Sequence, residues 1–453
     1  MSLPVGSELS STQHQSLEQV LLPIRDFLAL CPPDTTHWVA CSGGLDSVLL
    51  LWAMASLAPG QTQAIHIDHG LHPQASVWSQ HVSSLCQAWQ IPCVTHTVNM
   101  TQSAGNIEAR ARAERYRVFA EQLKAQDVLW LGHHLNDQIE TFFLRLIRGS
   151  GMTGLAGMPR QRPVGDGVLF RPWLETPRSV LATIAQSLNL SWVEDPANDS
   201  LDFDRNFIRH NVLPILTQRW PQTLPRFLNT QQHLTAAAHE LQDLHNAHLA
   251  KIVAADGGLE IEPWLGCGNE ALQLSLLRQW WCNLGEQAPS LQQLQQARRQ
   301  VALSRPDAQG RVRLGQSDLR RFQNRLYCVQ PLPALPPSLS FTGNLSTGLL
   351  AVHPGMGRLH LEPCVGEGLS LAKLNVLPVI QFRQGGEVMR PKGRGHRRDC
   401  KRLMQEFSIA PWWRDRVPLL YVGATWVAMA GYCVDADWAT QPEEPGLRVC
   451  WQP

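Results

Sequence analysis

The first half of the chain predicts an α/β fold, a doubly wound parallel sheet, followed by a helical domain and a small α+β domain. Three observations predict this. Strand-like runs alternate with helical patterns over residues 36–192, the glycine-rich turn SGGLDS follows the first of those strands, and the composition shifts to Gln, Leu, Ala and His over about 216–301. Alternation of this kind calls for a parallel sheet covered on both faces, with ligands at the carboxyl ends of the strands.

The elements follow in order. HWVAC precedes a helix over 46–58, QAIHI one over 76–90, CVTHTV one over 106–124, and VLWLG one over 137–148. In the first of these, the glycines of "SGGLDS" let backbone approach a ligand. The helix-start N–H groups, with the Ser42 and Ser47 hydroxyls, point at an anion. The competing reading is a tight turn in which Ser42 or Asp46 only caps the helix. The turn lacks the G-x-x-x-x-G-K-[ST] pattern, so the lysine of a P-loop is missing and Asp46 stands in the loop instead. A carboxylate beside polyphosphate repels it unless a cation lies between, so Asp46 implies Mg²⁺.

The helix after VLWLG carries HHLNDQIETFFLRLIRGSG. Ile139, Phe142, Phe143 and Leu146 are expected on its inward face, with Asp137, Glu140 and Thr141 together near its start. Asp137 and Glu140 also fit an N-cap and capping-box spacing. At a strand exit facing the loop they could instead hold Mg²⁺ or a cationic amine. His133 and His134 read as hydrogen-bonded structural residues. In "GNIEARARAERYRVF", Glu108, Arg112 and Arg115 share one helix face. Either that face is salt-bridged to solvent, or Arg112 and Arg115 reach phosphates.

The rest of the chain reads more coarsely. Pro331, Pro333, Pro336 and Pro337 mark a linker or edge, and LPVIQF and VPLLYVGATWVAMAGY read as strands of the last domain. Between 383 and 402 eight Lys or Arg face only Glu387 and Asp399, which suggests a grip on a phosphate backbone. Trp412 and Trp413 read as packing residues rather than as platforms for bases. The boundaries expected are 1–215, 216–335 and 336–453.

Composition narrows the function classes. Of the 453 residues 44% are hydrophobic and 17% charged, and the formal net charge is +1, so a globular protein is expected and any nucleic-acid partner is held by local patches. The 11 cysteines include no C-x-x-C pair, which argues against a disulfide framework and against zinc or iron–sulfur sites. No apolar stretch is long enough to span a bilayer and no secretory signal is evident, so the expected location is the cytoplasm.

Taken in series, SGGLDS, IDHGLHP, EARARAERYRVF, HHLNDQIETFFLRLIRGSG, EDPANDSLDFDRNFIRHNVLP and the late GGEVMRPKGRGHRRDCKRLMQEFSIAPWWRDRVPLLYVG resemble bacterial tRNA(Ile)-lysidine synthetase, over nearly the whole chain. The first motif resembles the PP-loop of the ATP pyrophosphatases, and the fold implied is that adenine nucleotide α-hydrolase-like one. The resemblance implies a ligase that uses ATP and Mg²⁺ to adenylylate O2 of the wobble cytidine in an isoleucine tRNA with a CAU anticodon. Free L-lysine then attacks C2 and AMP leaves.

The resemblance also implies roles. Ser42, Gly43, Gly44, Leu45, Asp46 and Ser47 would hold ATP, with Arg112 and Arg115 on its phosphates. Asp46 and Asp137 would surround Mg²⁺ or the lysine amine, Glu140 and Arg205 would grip lysine's charged ends, and HIDHG would line the adenosine side. The helical and C-terminal domains would contact the tRNA, the tail docking its acceptor-arm side; monomer or homodimer is left open. One departure stands out: the family has two adjacent aspartates where this chain has Asn136 and Asp137. The remaining rivals are a tRNA thiolase, an amidotransferase synthetase and a non-catalytic RNA-binding protein.

Overall fold

The computed structural model describes residues 10–68, 70, 74–98, 107–303, 310–344 and 348–453; for 107–109 and 198 only the backbone is described. The chain forms two compact units, Met1–Leu241 and Gln242–Pro453.

The first unit begins with helix α1 (Ser11–Leu28) and alternates β1 (His37–Ala40), α2 (Leu45–Leu57), β2 (Thr62–Asp68), α3 (Ala75–Ala88), β3 (Cys93–Thr97), α4 (Ile107–Gln122), β4 (Val128–Trp130) and α5 (Leu135–Ile147). All four strands expected from the sequence form, each within about two residues of its expected bounds. The antiparallel pair β5 (Gln161–Val164) and β6 (Gly167–Phe170), which the sequence reading did not pick out, completes a six-stranded sheet in the order β3-β2-β1-β4-β6-β5. Pairings among β1 to β4, and of β4 with β6, are parallel.

The strands are short and alternate between two cores. Val39, Val128 and Trp130 pack on one face with α1, α2 and the helix Arg178–Ser187, while Trp38, Leu129 and Leu131 pack on the other against Val118 and Phe119 of α4 and Leu123 just after it. Helix α2 is buried almost all round, from Val48 to Ala55, which is why its sequence is a continuous apolar run rather than an amphipathic one. Each such Leu or Val contributes about 1.5–3 kcal/mol through burial.

Strand order reverses at β1: β2 lies on one side and β4 on the other. The loops leaving β1 and β4 therefore diverge over a crevice at the carboxyl edge, the place where open α/β sheets bind ligands.

The second unit has three layers of organisation. Helices Ile261–Leu265, Glu270–Asn283 and Leu291–Ala297 pack through Trp264, Leu277 and Trp281 against a four-stranded antiparallel sheet of 259–260 and 311–329. These strands were not anticipated in the expected helical domain 216–335, because RVRL and RLYCV are too short to reveal a period. The proline-rich stretch 330–337 is free of helix and strand, as expected. Two five-stranded antiparallel sheets follow, containing the expected strands Val379–Gln381, Leu419–Val422 and Thr425–Met429, with short helices Cys400–Glu406 and Pro411–Arg414. Among the described residues no helix is long and apolar enough to cross a membrane.

Candidate active site

The turn after β1 is built by its own small side chains. Ser47 Oγ accepts from the Ser42 N–H at 3.1 Å and donates to the Gly44 carbonyl at 2.9 Å, and the two serine hydroxyls lie 3.2 Å apart. Gly43 has φ +89°, a left-handed conformation that favours glycine, and a Cβ there would come within 3.2 Å of Val82. Helix α2 starts at Gly44 with no side-chain cap, so neither Ser42 nor Asp46 caps it and the capping reading of this turn falls. The first-turn amides face the crevice without a capping side chain, which suits an anion.

Asp46 sits in that first turn. Its Oδ1 is buried and has no hydrogen-bond partner. Burial pushes its carboxyl above the ordinary carboxylate range and Asp137 adds to this, against the pull of His134, Arg178 and Arg209. The neighbouring side chains stand off from it: Arg178 Nε is 3.9 Å and His134 Nε2 3.7 Å from Oδ2. An acceptor left bare and desolvated is what a hard cation would satisfy. Among the described residues no group of three or more His, Cys, Asp or Glu could hold a metal on its own, so phosphate oxygens and water would have to complete the shell, as is usual for Mg²⁺.

The exit of β4 is pressed against this loop. A Cβ on Gly132 would lie 2.9 Å from the Asp46 carbonyl oxygen, so only glycine lets the two strand exits approach this closely. The start of α5 is held by three ties. Leu135 N–H donates to the Thr176 carbonyl at 3.0 Å, and Gln138 exchanges two hydrogen bonds with the Met158 backbone at 2.8 and 2.7 Å. Asn136 Oδ1 accepts from the N–H of Arg178 at 3.0 Å and so satisfies the first amide of the helix Arg178–Ser187.

The capping box at α5 runs one turn earlier than the sequence reading had it. His134 is the N-cap, accepting from Asp137 N–H at 3.3 Å, while Asp137 Oδ2 accepts from His134 N–H at 2.9 Å. The inward face also differs. Leu135, Ile139 and Phe143 pack against Ile208 and Leu213, but Leu146 is exposed because the last turns of α5 run beyond that contact.

Glu140 is fully buried and takes two guanidinium forks. Arg205 Nε donates to it at 2.6 Å, and Arg209 donates from Nε at 2.7 Å and Nη2 at 3.1 Å. Arg205 Nη2 also reaches Asp137 Oδ1 at 3.0 Å. Burial would raise the Asp137 carboxyl, but His134, Arg205 and the His134 N–H together hold it down at about 2. Beside this cluster lies a cavity of about 380 Å³ walled by Asn136, Ser179, Arg209 and Thr217, within the roughly 300–1,000 Å³ of small-molecule sites.

The structure thus brings Asp46, Asp137, Glu140 and Arg205 to one crevice. Arg112 is exposed on α4 with its guanidinium 5.1 Å from the Tyr116 ring, and its charge is felt at His133. Arg115 is also exposed, and the salt-bridged solvent face of α4 belongs to Arg117, paired with Glu114 and Glu121. The side chain of Glu108 and residues His69, Leu71, His72 and Pro73 of the IDHGLHP motif lie outside the described residues; His66 is buried and bonded to the Cys41 carbonyl at 2.8 Å. Sequence reasoning missed Arg209, Arg178 and the N-cap role of His134. Arg209 had a signal, its four-residue spacing from Arg205.

In the second unit the basic stretch is partly neutralised: Glu406 pairs with Arg394, Arg398 and Arg402, Asp437 with Arg390, and Asp415 with Arg383. Arg397 and Lys401 are exposed with no ion-pair partner among the described residues. Trp412 packs on Phe322 and Tyr327, and Trp413 on Trp451, as expected of packing residues.

Residues 11–216 match the PP-loop domain, 259–327 the TilS substrate binding domain and 379–451 the TilS substrate C-terminal domain. A tRNA(Ile)-lysidine synthase of Coxiella burnetii is 38% identical over 432 residues, covering 94% of this chain and 95% of the relative. Those of Serratia proteamaculans and Yersinia pseudotuberculosis are 38% and 35% identical over 91% of this chain and 95% of theirs. The chain belongs to the tRNA(Ile)-lysidine synthase family. Membership of this family agrees with the crevice: an ATP-binding PP-loop at the switch point of a parallel sheet, facing a cluster of acids and arginines.

Proposed function

We propose that this chain joins free L-lysine to C2 of the wobble cytidine in a CAU-anticodon isoleucine tRNA, in the cytoplasm, with cleavage of ATP to AMP and pyrophosphate. The observation that carries the reading is Asp46. It is a desolvated carboxylate with a bare Oδ1 at an uncapped helix start, facing Asp137 across the contact made by Gly132.

In this reading Ser42, Gly43, Gly44, Leu45, Asp46 and Ser47 cradle the ATP phosphates, joined by Arg112 and Arg115. Asp46, with Asp137, holds Mg²⁺, which when bound neutralises the phosphates beside the carboxylate. Cytidine O2 attacks the α-phosphorus; the O–P bond forms as the bond to the β-phosphate oxygen breaks and its electron pair leaves on pyrophosphate. The neutral ε-amine of lysine then attacks C2, loses a proton, and the C2–O bond breaks to release AMP. An amide-like oxygen leaves carbon poorly, so the AMP ester supplies the leaving group.

Glu140 and Arg205 grip lysine's α-ammonium and α-carboxylate, exchanging part of their mutual ion pair for the ligand. The parts 216–335 and 336–453 hold the tRNA, the latter through exposed cations such as Arg397 and Lys401.

The test is incubation with ATP, Mg²⁺, radiolabelled lysine and the CAU-anticodon tRNA. Label transferred to the tRNA is expected, and no transfer without ATP. Label that stays in free lysine under all conditions overturns the reading.

A further inference from the structure

His133 follows Gly132 at the exit of β4, one residue from the contact with Asp46, and nothing in the reaction described so far uses it. Its Nδ1 faces Arg171 Nε at 3.2 Å. Arg171 is 2% exposed and fixed from its other side, where Nη1 donates to the Pro159 carbonyl at 2.7 Å. A guanidinium has only donors and stays protonated, so the imidazole nitrogen it meets must present its lone pair. The ring proton is therefore on Nε2, and a second proton on Nδ1 would set N–H against N–H. Burial acts in the same direction, pushing the imidazole down to about 3 against the pull of Asp137.

His133 is thus a neutral N–H donor whose tautomer is chosen by a buried arginine. It is half-buried, and among the described residues no group takes its Nε2. The charged groups acting on it are Asp137 on one side and Arg171, Arg205 and Arg112 on the other. Arg112 and Arg162 flank the Tyr116 ring at 5.1 and 4.5 Å, and the Arg171 charge also acts on Tyr116, so this wall of the crevice is cationic. Such a wall suits an anionic acceptor and disfavours the lysine ammonium, which needs acceptors of its own.

We infer that His133 donates through Nε2–H to a non-bridging oxygen of the α-phosphate, with Arg171 as the positioning residue that fixes the donor's tautomer. This rests on the proposed adenylylation and adds a donor to it. As cytidine O2 bonds to the α-phosphorus and the pyrophosphate oxygen departs, the donor stays with the phosphoryl group that becomes the AMP ester. Neutral imidazole fits this role because it polarises the oxygen without giving up its proton.

Two experiments test it. In the ¹⁵N-labelled full chain, two-bond imidazole correlations at pH 7 are expected to show His133 as the Nε2–H tautomer. Adding AMP should shift its Nε2 resonance, whereas adenosine should not. Arg171→Met should mix the tautomers. A cationic or Nδ1–H His133, or equal shifts with AMP and adenosine, overturns the inference, and this readout does not depend on lysidine being made. In single-turnover adenylylation without lysine, His133→Leu should be slowed about 100-fold, as for loss of one oxyanion donor, with the KM for ATP little changed. His133→Gln, which keeps a neutral donor at the distal position, should recover most of the rate. Wild-type rates for His133→Leu would overturn the inference, while a wild-type chain that labels no tRNA would overturn the proposed function instead.

Discussion

Two aspartates of one crevice are driven in opposite directions. Asp46 is desolvated, has an unpartnered oxygen and is pushed up; Asp137 is more deeply buried yet held at about 2 by His134, Arg205 and a backbone amide. What separates them is not depth but which lone pairs are already taken. A carboxylate whose partners are supplied by the fold is held in place and kept charged by them, and one whose partners are withheld keeps a lone pair open for a ligand.

Removing each charge in turn should separate the two most sharply. Asp46→Asn and Asp137→Asn are both expected to abolish lysidine formation, by about 1,000-fold or more for several kcal/mol of lost charge stabilisation. Their stabilities should diverge. Asp46→Asn removes an uncompensated buried charge and should leave the urea midpoint unchanged or raised. Asp137→Asn strips a partner from Arg205 and His134 and should lower it. Equal midpoints would erase the distinction.

Glu140 tests the same principle at its strongest, since two guanidiniums converge on it at 0% exposure. Glu140→Gln should cost about 3–5 kcal/mol in urea unfolding, the usual penalty for leaving buried charge unpaired. Isosteric replacement that costs under 1 kcal/mol would show the arginines relaxing to solvent.

A smaller effect, about 2 kcal/mol, should appear on acidification. The folded-state pKa of Asp137 is depressed, so its stabilisation is present above the unfolded value near 4 and is lost as pH falls towards 2. Asp46 has the opposite sign: its raised pKa costs stability as pH rises through and above the ordinary carboxylate range. Adding Mg²⁺ and ATP should therefore raise the melting temperature more at pH 7 than at pH 4, and Asp46→Asn should abolish that difference.

The smallest effect concerns the departure from the family pattern. Asn136 Oδ1 accepts from the first amide of the helix Arg178–Ser187, and a carboxylate would accept from the same N–H with a favourable helix dipole. Asn136→Asp should thus stay within about 0.5 kcal/mol of the parent, with lysidine formation largely kept.

Much of this was legible in the sequence because it depends on short-range pattern. The strand-to-helix alternation gave four of the six strands of the sheet, and the residue types in SGGLDS dictated an anion-binding turn with an acid in it. The positions of Asp137 and Glu140 one helical turn apart put both at the start of α5. Short strands such as RVRL escaped notice because four residues hold too little period to read. Leu146 was misplaced because a helix face is buried only as far as its partner extends.

What the sequence alone determined is chemical identity: a glycine loop with Asp46, a helix start with Asp137 and Glu140, and a distant segment with Arg205 and Arg209. Only the tertiary structure decided which of these groups are paired. Residues 65 to 69 apart in the chain meet at Glu140, and Asp46 meets the other strand exit only through the missing side chain of Gly132. Pairing is a matter of a few ångströms between elements distant in the chain. Local pattern does not encode such distances, and they set which carboxylate is satisfied and which is left bare.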